Sequence, residues 1–336
     1  MASRAVMERP KPAVPVQQDP DILNAAARLA GEDLCSMADL SSAEVRAILK
    51  LGHHVKQNPR EFRHALDAKQ MVLMFEKASL RTRLSFETGI NTLGGNAVFF
   101  DQTNSPLGER ESIADVAKNV ERWVDVIVLR TYAHDTITEM AANSRVPVIN
   151  ALSDFEHPCQ ALADIQTFQE NFSDSRGRTI VYLGDGNNVA ASLAEAGAMA
   201  GINVCLSVPQ GCDLPADQMS AIVALAKQNG VRIWVERDPV AAVTGASALY
   251  TDVWISMGQQ QDGAKIEALK PYQVNEALLA KAASDAIVLH CLPAHRGDEI
   301  TDGVMDGPQS RVFDQAENRL HAQKALMAYL IGGRAL

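Results

Sequence analysis

Short runs of consecutive apolar residues alternate along the chain with longer segments in which apolar residues recur every three or four positions. The first pattern is typical of strands buried on both faces of a sheet, and the second is typical of helices that cover such a sheet. The predicted strands span 71–76, 97–100, 124–130, 146–150, 179–184, 203–209, 231–236, 248–253 and 286–293. One predicted helix begins at 41, and the others span 79–93, 112–122, 135–143, 158–171, 188–200, 215–229, 274–283 and 315–332.

This alternation predicts an α/β protein with two similar-sized domains, each a parallel sheet flanked by helices, and the two joined by crossing helices. The length of 336 residues is enough for two separate cores. We expect an N-terminal arm over 1–32 that is disordered or poorly packed at its start, because its first twenty residues are rich in proline. The first domain is expected to comprise 33–156 together with 318–336, and the second to comprise 157–317.

Composition and charge narrow the classes of protein to consider. Hydrophobic residues make up 47% of the chain and charged residues 21%, as in ordinary globular proteins. The formal net charge of −10 argues against a nucleic-acid partner, which requires a basic surface. Five cysteines without a CxxC pair favour a reducing compartment. No apolar run reaches the length of a membrane span, and the N-terminal segment lacks a secretory signal. We therefore expect a cytoplasmic protein with no membrane partner.

The segment FEKASLRTR joins a buried strand to a helix that begins near Ser79. Arg81 and Arg83 fall in its first turn, at the positive end of the helix dipole, where positive side chains are unfavourable unless an anion is bound. Free backbone N–H groups at a helix start also favour an anion. The segment therefore indicates a phosphate site, and the alternative is a solvated helix start with surface arginines.

Other polar residues follow the predicted strands at their carboxyl ends, where open α/β sheets bind ligands. They are Arg130, His157 with Gln160 at a proline-marked helix start, Asn187 with Asn188, Asp252, and Cys291 in HCLP. Taken alone, His157 is also compatible with a structural role and Cys291 with an inert buried thiol. His290, Cys291 and His295 are zinc-ligand types, but no second cluster has metal spacing. The GDGNN segment lacks a GxGxxG fingerprint, which argues against a dinucleotide cofactor.

Taken in order, these segments resemble the aspartate/ornithine carbamoyltransferase family, and within it the enzymes that use ornithine. The resemblance covers roughly residues 33–334 and depends on six ordered motifs. They are the phosphate motif Ser79–Arg83, the single arginine Arg130, the His-Pro-x-Gln element His157–Gln160, the Asp-x-x-x-Ser-Met-Gly loop Asp252–Gly258, the His-Cys-Leu-Pro element His290–Pro293, and the late arginine Arg319.

The resemblance implies that carbamoyl phosphate and L-ornithine bind between the domains and react, without a metal or an organic cofactor, to give L-citrulline and phosphate. The implied carbamoyl-phosphate ligands are Ser79, Leu80, Arg81, Thr82, Arg130, His157, Gln160, Cys291, Leu292 and Arg319. The implied ornithine ligands are Asn188, Asp252, Ser256 and Met257. The implied catalytic residues are Arg130, His157 and Cys291, with Cys291 positioning or polarising the amine rather than attacking. The first domain would then bind carbamoyl phosphate and the second ornithine, in a homotrimer or a multiple of trimers.

Two positions depart from the family pattern. Leu80 stands where the common phosphate motif has threonine, which removes a hydroxyl but keeps the backbone N–H. Pro106 stands where many ornithine enzymes have glutamine, in a loop that reaches a neighbouring subunit in the family. The alternative within the enzyme class is therefore a carbamoyltransferase that acts on putrescine or an N-acylated ornithine. A non-catalytic relative is a third hypothesis, and it predicts losses among Arg81, Arg130, His157 and Cys291, all of which are present.

Overall fold

The computed structural model describes residues 20–255 and 262–332. Within these ranges the strands are β1 Gln70–Phe75, β2 Asn96–Asp101, β3 Val126–Arg130, β4 Val148–Leu152, β5 Thr179–Leu183, β6 Asn203–Ser207, β7 Ile233–Val235, β8 Ala248–Thr251 and β9 Ile287–His290. The helices are α1 Pro20–Leu29, α2 Ser42–Gln57, α3 Leu80–Thr92, α4 Ile113–Val120, α5 His134–Asn143, α6 Pro158–Asn171, α7 Asn188–Ala200, α8 Ala216–Gln228, α9 Pro239–Val243, α10 Gly263–Leu269, α11 Glu276–Leu279, α12 Asp302–Met305 and α13 Val312–Met327.

The strands form two parallel sheets, which confirms the predicted α/β architecture. Among the described residues, one sheet has the strand order β2-β1-β3-β4 and the other has the order β7-β6-β5-β8-β9. Their central strands are almost entirely buried and apolar, as the continuous apolar runs predict. Because all strands of a sheet run in one direction, their carboxyl ends lie along one edge, where Arg130 ends β3 and His290 ends β9.

Two helices connect the layers, as predicted. α6 is buried on all sides from Pro158 to Phe168, and α13 is buried over most of its length. α13 packs against α6, α2 and α3, so it contacts helices of both halves of the molecule. A helix that is apolar or buried all round belongs between layers rather than on a surface. Each of these two helices therefore carries its polar residues into the region between the sheets.

The differences from the prediction lie mainly in short helices and in strand ends, since β9 stops at His290 whereas the predicted strand continued to 293. α9, α10 and α12 have five, seven and four residues, which is too short for a helical repeat of apolar positions to be visible. The predicted helix 274–283 is confined to α11, whose N-cap is Asn275. The predicted arm contains α1, in which Ile22 and Leu29 are buried in the core. None of the helices in the described ranges is long and apolar enough to cross a membrane.

Candidate active site

The start of α3 faces a cavity of about 280 Å³ between the two sheets. Ser79 is the N-cap: its Oγ accepts a hydrogen bond from the Thr82 backbone N–H at 3.3 Å and its hydroxyl donates to Thr82 Oγ1 at 3.0 Å. Leu80 begins the helix with its side chain 70% exposed, so its backbone N–H is the group that a ligand can use. These three residues present hydroxyl and amide donors at the positive end of a helix, which suits a phosphate.

Three guanidinium groups line the same cavity, those of Arg81, Arg130 and Arg319. Burial, and after it the charges of Arg319 and Arg81, lowers the pKa of Arg130 to about 10. The Nε atom of Arg130 is buried and has no hydrogen-bond partner among the described residues. Like charges that are buried together are unfavourable without a counter-ion, so this cluster indicates an anion site.

The second arginine of the phosphate motif does not join the cluster. The Arg83 guanidinium stacks on the Phe99 ring at 3.8 Å from its centroid, and Arg83 Nε donates to Glu87 at 2.9 Å. The helix-start pattern alone does not distinguish the two arginines, because side-chain direction there depends on what lies beside the helix, whereas the ligands implied by the resemblance include Arg81 and not Arg83. Lys77 does line the cavity, although no motif points to it, and its ammonium group lies 4.5 Å from the Tyr132 ring centroid.

His157 is the N-cap residue of α6 and lines the cavity beside the guanidinium groups. Burial lowers its pKa well below the usual histidine value, and Arg319, Arg130 and Arg81 lower the pKa further. The imidazole is therefore neutral at physiological pH. Its Nδ1 has no hydrogen-bond partner among the described residues. A neutral imidazole has one N–H donor, which makes it suitable for binding a carbonyl oxygen.

Gln160 does not line the cavity but lies behind Arg319. Arg319 Nη1 donates to Gln160 Oε1 at 2.6 Å, and Gln160 Nε2 donates to Asp164 Oδ1 at 2.7 Å. Gln315 Nε2 donates to the same Asp164 oxygen at 2.6 Å, and Gln315 Oε1 accepts from the His290 backbone N–H at 2.8 Å. This buried network fixes Arg319 and the end of β9 together. Sequence reasoning missed two of its members, although Asp164 and Gln315 each lie four residues from a recognised one, which is one helical turn.

On the other side of the cavity, Asp252 holds three donors. Its Oδ1 accepts from the Cys291 thiol at 2.9 Å and from the Val253 N–H at 2.8 Å, and its Oδ2 accepts from Asn187 Nδ2 at 2.9 Å. Burial raises the pKa of Cys291 well above its usual value, and the Asp252 charge raises it further. The thiol therefore stays protonated, which argues against a covalent role because the thiolate is the nucleophilic form.

His290 orients the HCLP turn through both of its ring nitrogens. Its Nδ1 accepts from the Leu292 N–H at 2.9 Å, so Nε2 carries the proton toward Glu299 Oε1 at 3.1 Å. Leu292 has φ +61°, a left-handed conformation that is unfavourable for leucine and is held here by this hydrogen bond. Asp252, His290 and Cys291 have donor atoms within 4.8 Å of one another, but both nitrogens of His290 are engaged. This arrangement does not fit a metal site.

The remaining predicted ligands are only partly within the described residues. Asn188 lines the cavity and its Nδ2 donates to the Ser153 carbonyl oxygen at 2.6 Å. Leu292 also lines the cavity. Ser256 and Met257 lie outside the described residues, so their predicted contacts with ornithine stay predictions.

Comparisons with known proteins show the family to which the chain is similar. The family model described as the carbamoyl-P binding domain of aspartate/ornithine carbamoyltransferase matches residues 32–170, and the Asp/Orn binding domain of the same family matches 176–330. An ornithine carbamoyltransferase of Acidothermus cellulolyticus is 48% identical over 89% of this chain and 97% of its own length. One of Rhodococcus opacus is 47% identical over 88% and 95%. The solved ornithine carbamoyltransferase of Pyrococcus furiosus is 42% identical, covers 91% and 98%, and superposes with a TM-score of 0.88.

Proposed function

The chain belongs to the aspartate/ornithine carbamoyltransferase family, and we propose on that premise that it is an ornithine carbamoyltransferase. It transfers the carbamoyl group of carbamoyl phosphate to the side-chain amine of L-ornithine, and it releases L-citrulline and phosphate. One observation supports this most directly. A single cavity has the α3 start and three guanidinium groups on one side and the Asp252 carboxylate with the Cys291 thiol on the other. An anionic donor and an amine acceptor are thereby placed face to face.

The carbamoyl-phosphate half of the site follows from the positive groups. The phosphate binds the hydroxyls of Ser79 and Thr82, the first backbone N–H groups of α3, and Arg81. Arg130 bridges the phosphate and the carbonyl oxygen. His157 donates its imidazole N–H to that oxygen, which becomes more negative as the amine attacks. Arg319, held by Gln160, and the backbone of Cys291 and Leu292 complete the pocket.

The amine nitrogen attacks the carbamoyl carbon, the bond from that carbon to the phosphate oxygen breaks, and the amine loses a proton. The attacking amine must be neutral, although a free alkylamine has a pKa of about 10.4. At pH 8, removing its proton costs roughly 3 kcal/mol at about 1.4 kcal/mol per pKa unit. Desolvation in the cavity and the cluster of Arg81, Arg130 and Arg319 both favour the neutral amine. Arginine side chains stabilise the departing phosphate.

Ornithine binds on the side of the cavity opposite to the guanidinium groups. The Asp252 carboxylate binds the α-amino group of ornithine. The α-carboxylate group of ornithine is bound by Asn188, Ser256 and the Met257 backbone. A second carboxylate on the acceptor, as in aspartate, would require basic residues where Asp252 and Cys291 lie. The relatives named above favour ornithine over putrescine or an N-acylated ornithine.

The test is the acceptor profile of the purified protein. Carbamoyl phosphate is offered with ornithine, N-acetylornithine, N-succinylornithine, putrescine or aspartate, and both phosphate release and ureido product are measured. We expect kcat/KM for ornithine to exceed that for every other acceptor by about 10²-fold or more. An acceptor in which a charged group of ornithine is missing or blocked leaves the buried residue that binds this group unpaired. Preference for another amine would move the assignment to a sister activity, and no release with any acceptor would overturn it.

We also propose that the protein is a homotrimer or a multiple of trimers, with the outer surface around β2 and the end of α4 as the interface. Val98, Phe100 and Trp123 are 58%, 54% and 72% exposed there. With the loop around Pro106 they line a second cavity, of about 850 Å³. An apolar patch of this kind marks an interaction surface.

The five cysteines form no disulfide, which favours a cytoplasmic location.

The assembly is checked by sedimentation velocity at micromolar concentration. We expect the wild-type protein to sediment as a trimer or a multiple of one, and Trp123→Glu to sediment as a monomer because an unpaired charge would be buried in the interface. Val223→Glu serves as a control, since Val223 is also an exposed apolar residue and lies on helix α8, outside the proposed interface. A wild-type monomer, or a Trp123→Glu protein that still forms trimers, would contradict the proposed interface.

A further inference from the structure

Two glutamates lie side by side in the interior next to His157. Glu156 immediately precedes His157 and is fully buried, and Glu195 projects from α7 with 8% of its surface exposed. The Ser192 hydroxyl of α7 contacts Glu156, and Glu195 follows Ser192 by three positions on the same helix face, so the two carboxyl groups lie against each other. Neither carboxyl forms a salt bridge within the described ranges. Two carboxylates that share a buried site cannot both be ionised, so a proton must be held between them.

The surroundings decide which carboxyl is charged. Glu156 Oε1 accepts from the Ser36 hydroxyl at 2.5 Å, and Glu156 Oε2 accepts from the Met37 backbone N–H at 2.7 Å. These donors favour the ionised form of Glu156. Glu195 Oε2 has no hydrogen-bond partner among the described residues. Burial, and after it the Glu156 charge, raises the pKa of Glu195 to about 9. Glu195 is therefore the protonated member at neutral pH.

The pair is connected to His157 through one hydroxyl group. The His157 backbone N–H donates to Ser192 Oγ at 2.9 Å, and the Ser192 hydroxyl donates to Glu156 Oε2 at 3.5 Å. The His157 side chain makes no capping hydrogen bond at the start of α6. The Ser192 hydroxyl is therefore the side-chain group that receives this backbone N–H. Its orientation in turn depends on an acceptor at Glu156.

We propose that Glu156 and Glu195 share one proton, and that Glu156, through Ser192, is a positioning residue for His157. The carboxyl pair also ties the turn around Ser36 and Met37 to α7, so three segments of the chain meet at one buried charge. The positioning role rests on the proposed carbamoyl transfer. The shared proton does not, because it is a property of the folded protein without substrate.

The proposal has a defined dependence on pH. Glu195 titrates near its ordinary value of 4.5 in the unfolded chain and at about 9 in the folded protein. Between these values the folded protein binds the extra proton, so stability falls as pH rises from about 4.5 to about 9. The variant Glu195→Gln keeps an N–H donor toward Glu156 and removes this titration. Two other charged groups lie near the pair. Asp39 adds negative charge beside Glu156. On the α2 side, the Arg46 guanidinium donates a hydrogen bond to the Met199 carbonyl oxygen.

The experiment compares Glu195→Gln, Glu156→Gln and Ser192→Ala with wild type and with Glu139→Gln, an exposed glutamate on α5. Thermal unfolding of each protein without substrate is followed from pH 5 to pH 9, and ornithine carbamoylation is measured at pH 8. For Glu195→Gln we expect a Tm gain of about 5 °C or more at pH 8.5 that shrinks below about 2 °C at pH 5. Its kcat should stay within about twofold of wild type.

For Glu156→Gln and Ser192→Ala we expect kcat to fall about tenfold or more, because a small displacement of a catalytic group has a large effect on rate. Glu139→Gln should match wild type in both measurements. A Tm difference between Glu195→Gln and wild type that is the same at every pH would overturn the shared proton. Wild-type kcat in both Glu156→Gln and Ser192→Ala would overturn the positioning role. If wild type itself does not carbamoylate ornithine, the proposed function fails, and the unfolding series still decides on the proton.

Discussion

Replacing Arg130 with glutamine is expected to lower kcat/KM for carbamoyl phosphate by about 10³-fold or more, which corresponds to roughly 4 kcal/mol of transition-state stabilisation. Arg130 ends β3, lines the same cavity as Arg81 and Arg319, and keeps a buried Nε atom that has no hydrogen-bond partner in the described part of the chain. We therefore propose that this cation contacts both the leaving phosphate and the carbonyl oxygen. Steady-state kinetics with ornithine at saturation, and calorimetric binding of carbamoyl phosphate, measure the loss.

Arg83→Gln is the matched control, because Arg83 belongs to the same motif as Arg81 but stacks on Phe99 outside the cavity. An exposed ion pair such as Arg83 with Glu87 contributes about 0–1 kcal/mol, so Arg83→Gln should remain within about threefold of wild type. Arg130→Lys keeps the charge but loses the planar fork, and we expect an intermediate loss. If Arg130→Gln keeps its Tm and retains more than a tenth of wild-type activity, the assignment of Arg130 as the central anion ligand is wrong.

The second large effect is expected for Asp252→Asn, which should weaken the binding of ornithine and leave the binding of carbamoyl phosphate unchanged. We expect the KM for ornithine to rise about 10²-fold, because a hydrogen bond to a charged group contributes roughly 1.5–3 kcal/mol. The substituted amide would also turn an N–H group toward Asn187 Nδ2, which donates to Asp252 in the native site. Asn187 cannot reverse its amide without losing the cap of α7, because its Oδ1 accepts from the Val189 and Ala190 N–H groups.

Carbamoyl-phosphate affinity is the internal control for Asp252→Asn. Asp252 does not contact the guanidinium cluster, so the dissociation constant for carbamoyl phosphate, measured by calorimetry without ornithine, should change by less than about threefold. Asp213→Asn is the matched variant, since Asp213 is an exposed aspartate paired with Arg237. Equal weakening of both substrates would mean that Asp252 supports the fold of the strand end rather than reading the acceptor.

The sequence by itself determined the fold class and most of the residues that line the cavity, although it did not point to Lys77. Parallel strands appear in the sequence as continuous apolar runs because both of their faces are buried. The carboxyl ends of such strands share one edge of the sheet. Residues that follow the runs, such as Arg130 and Cys291, could therefore be placed at that edge from the sequence alone. The family motifs identified the other predicted site residues. Each motif is a short segment, so its residues lie within one or two helical turns of each other.

Only the tertiary structure decided which of these side chains meet and which residues support them. Arg81 and Arg83 are equivalent in sequence, but Phe99 from β2 takes one of them out of the cavity. Glu156 and Glu195 are 39 positions apart and look like ordinary surface glutamates in the chain. They become a buried pair because the start of α6 packs on α7. Contacts between segments that are distant in sequence are set by packing, and burial changes the chemistry of a carboxyl group as strongly as its identity does.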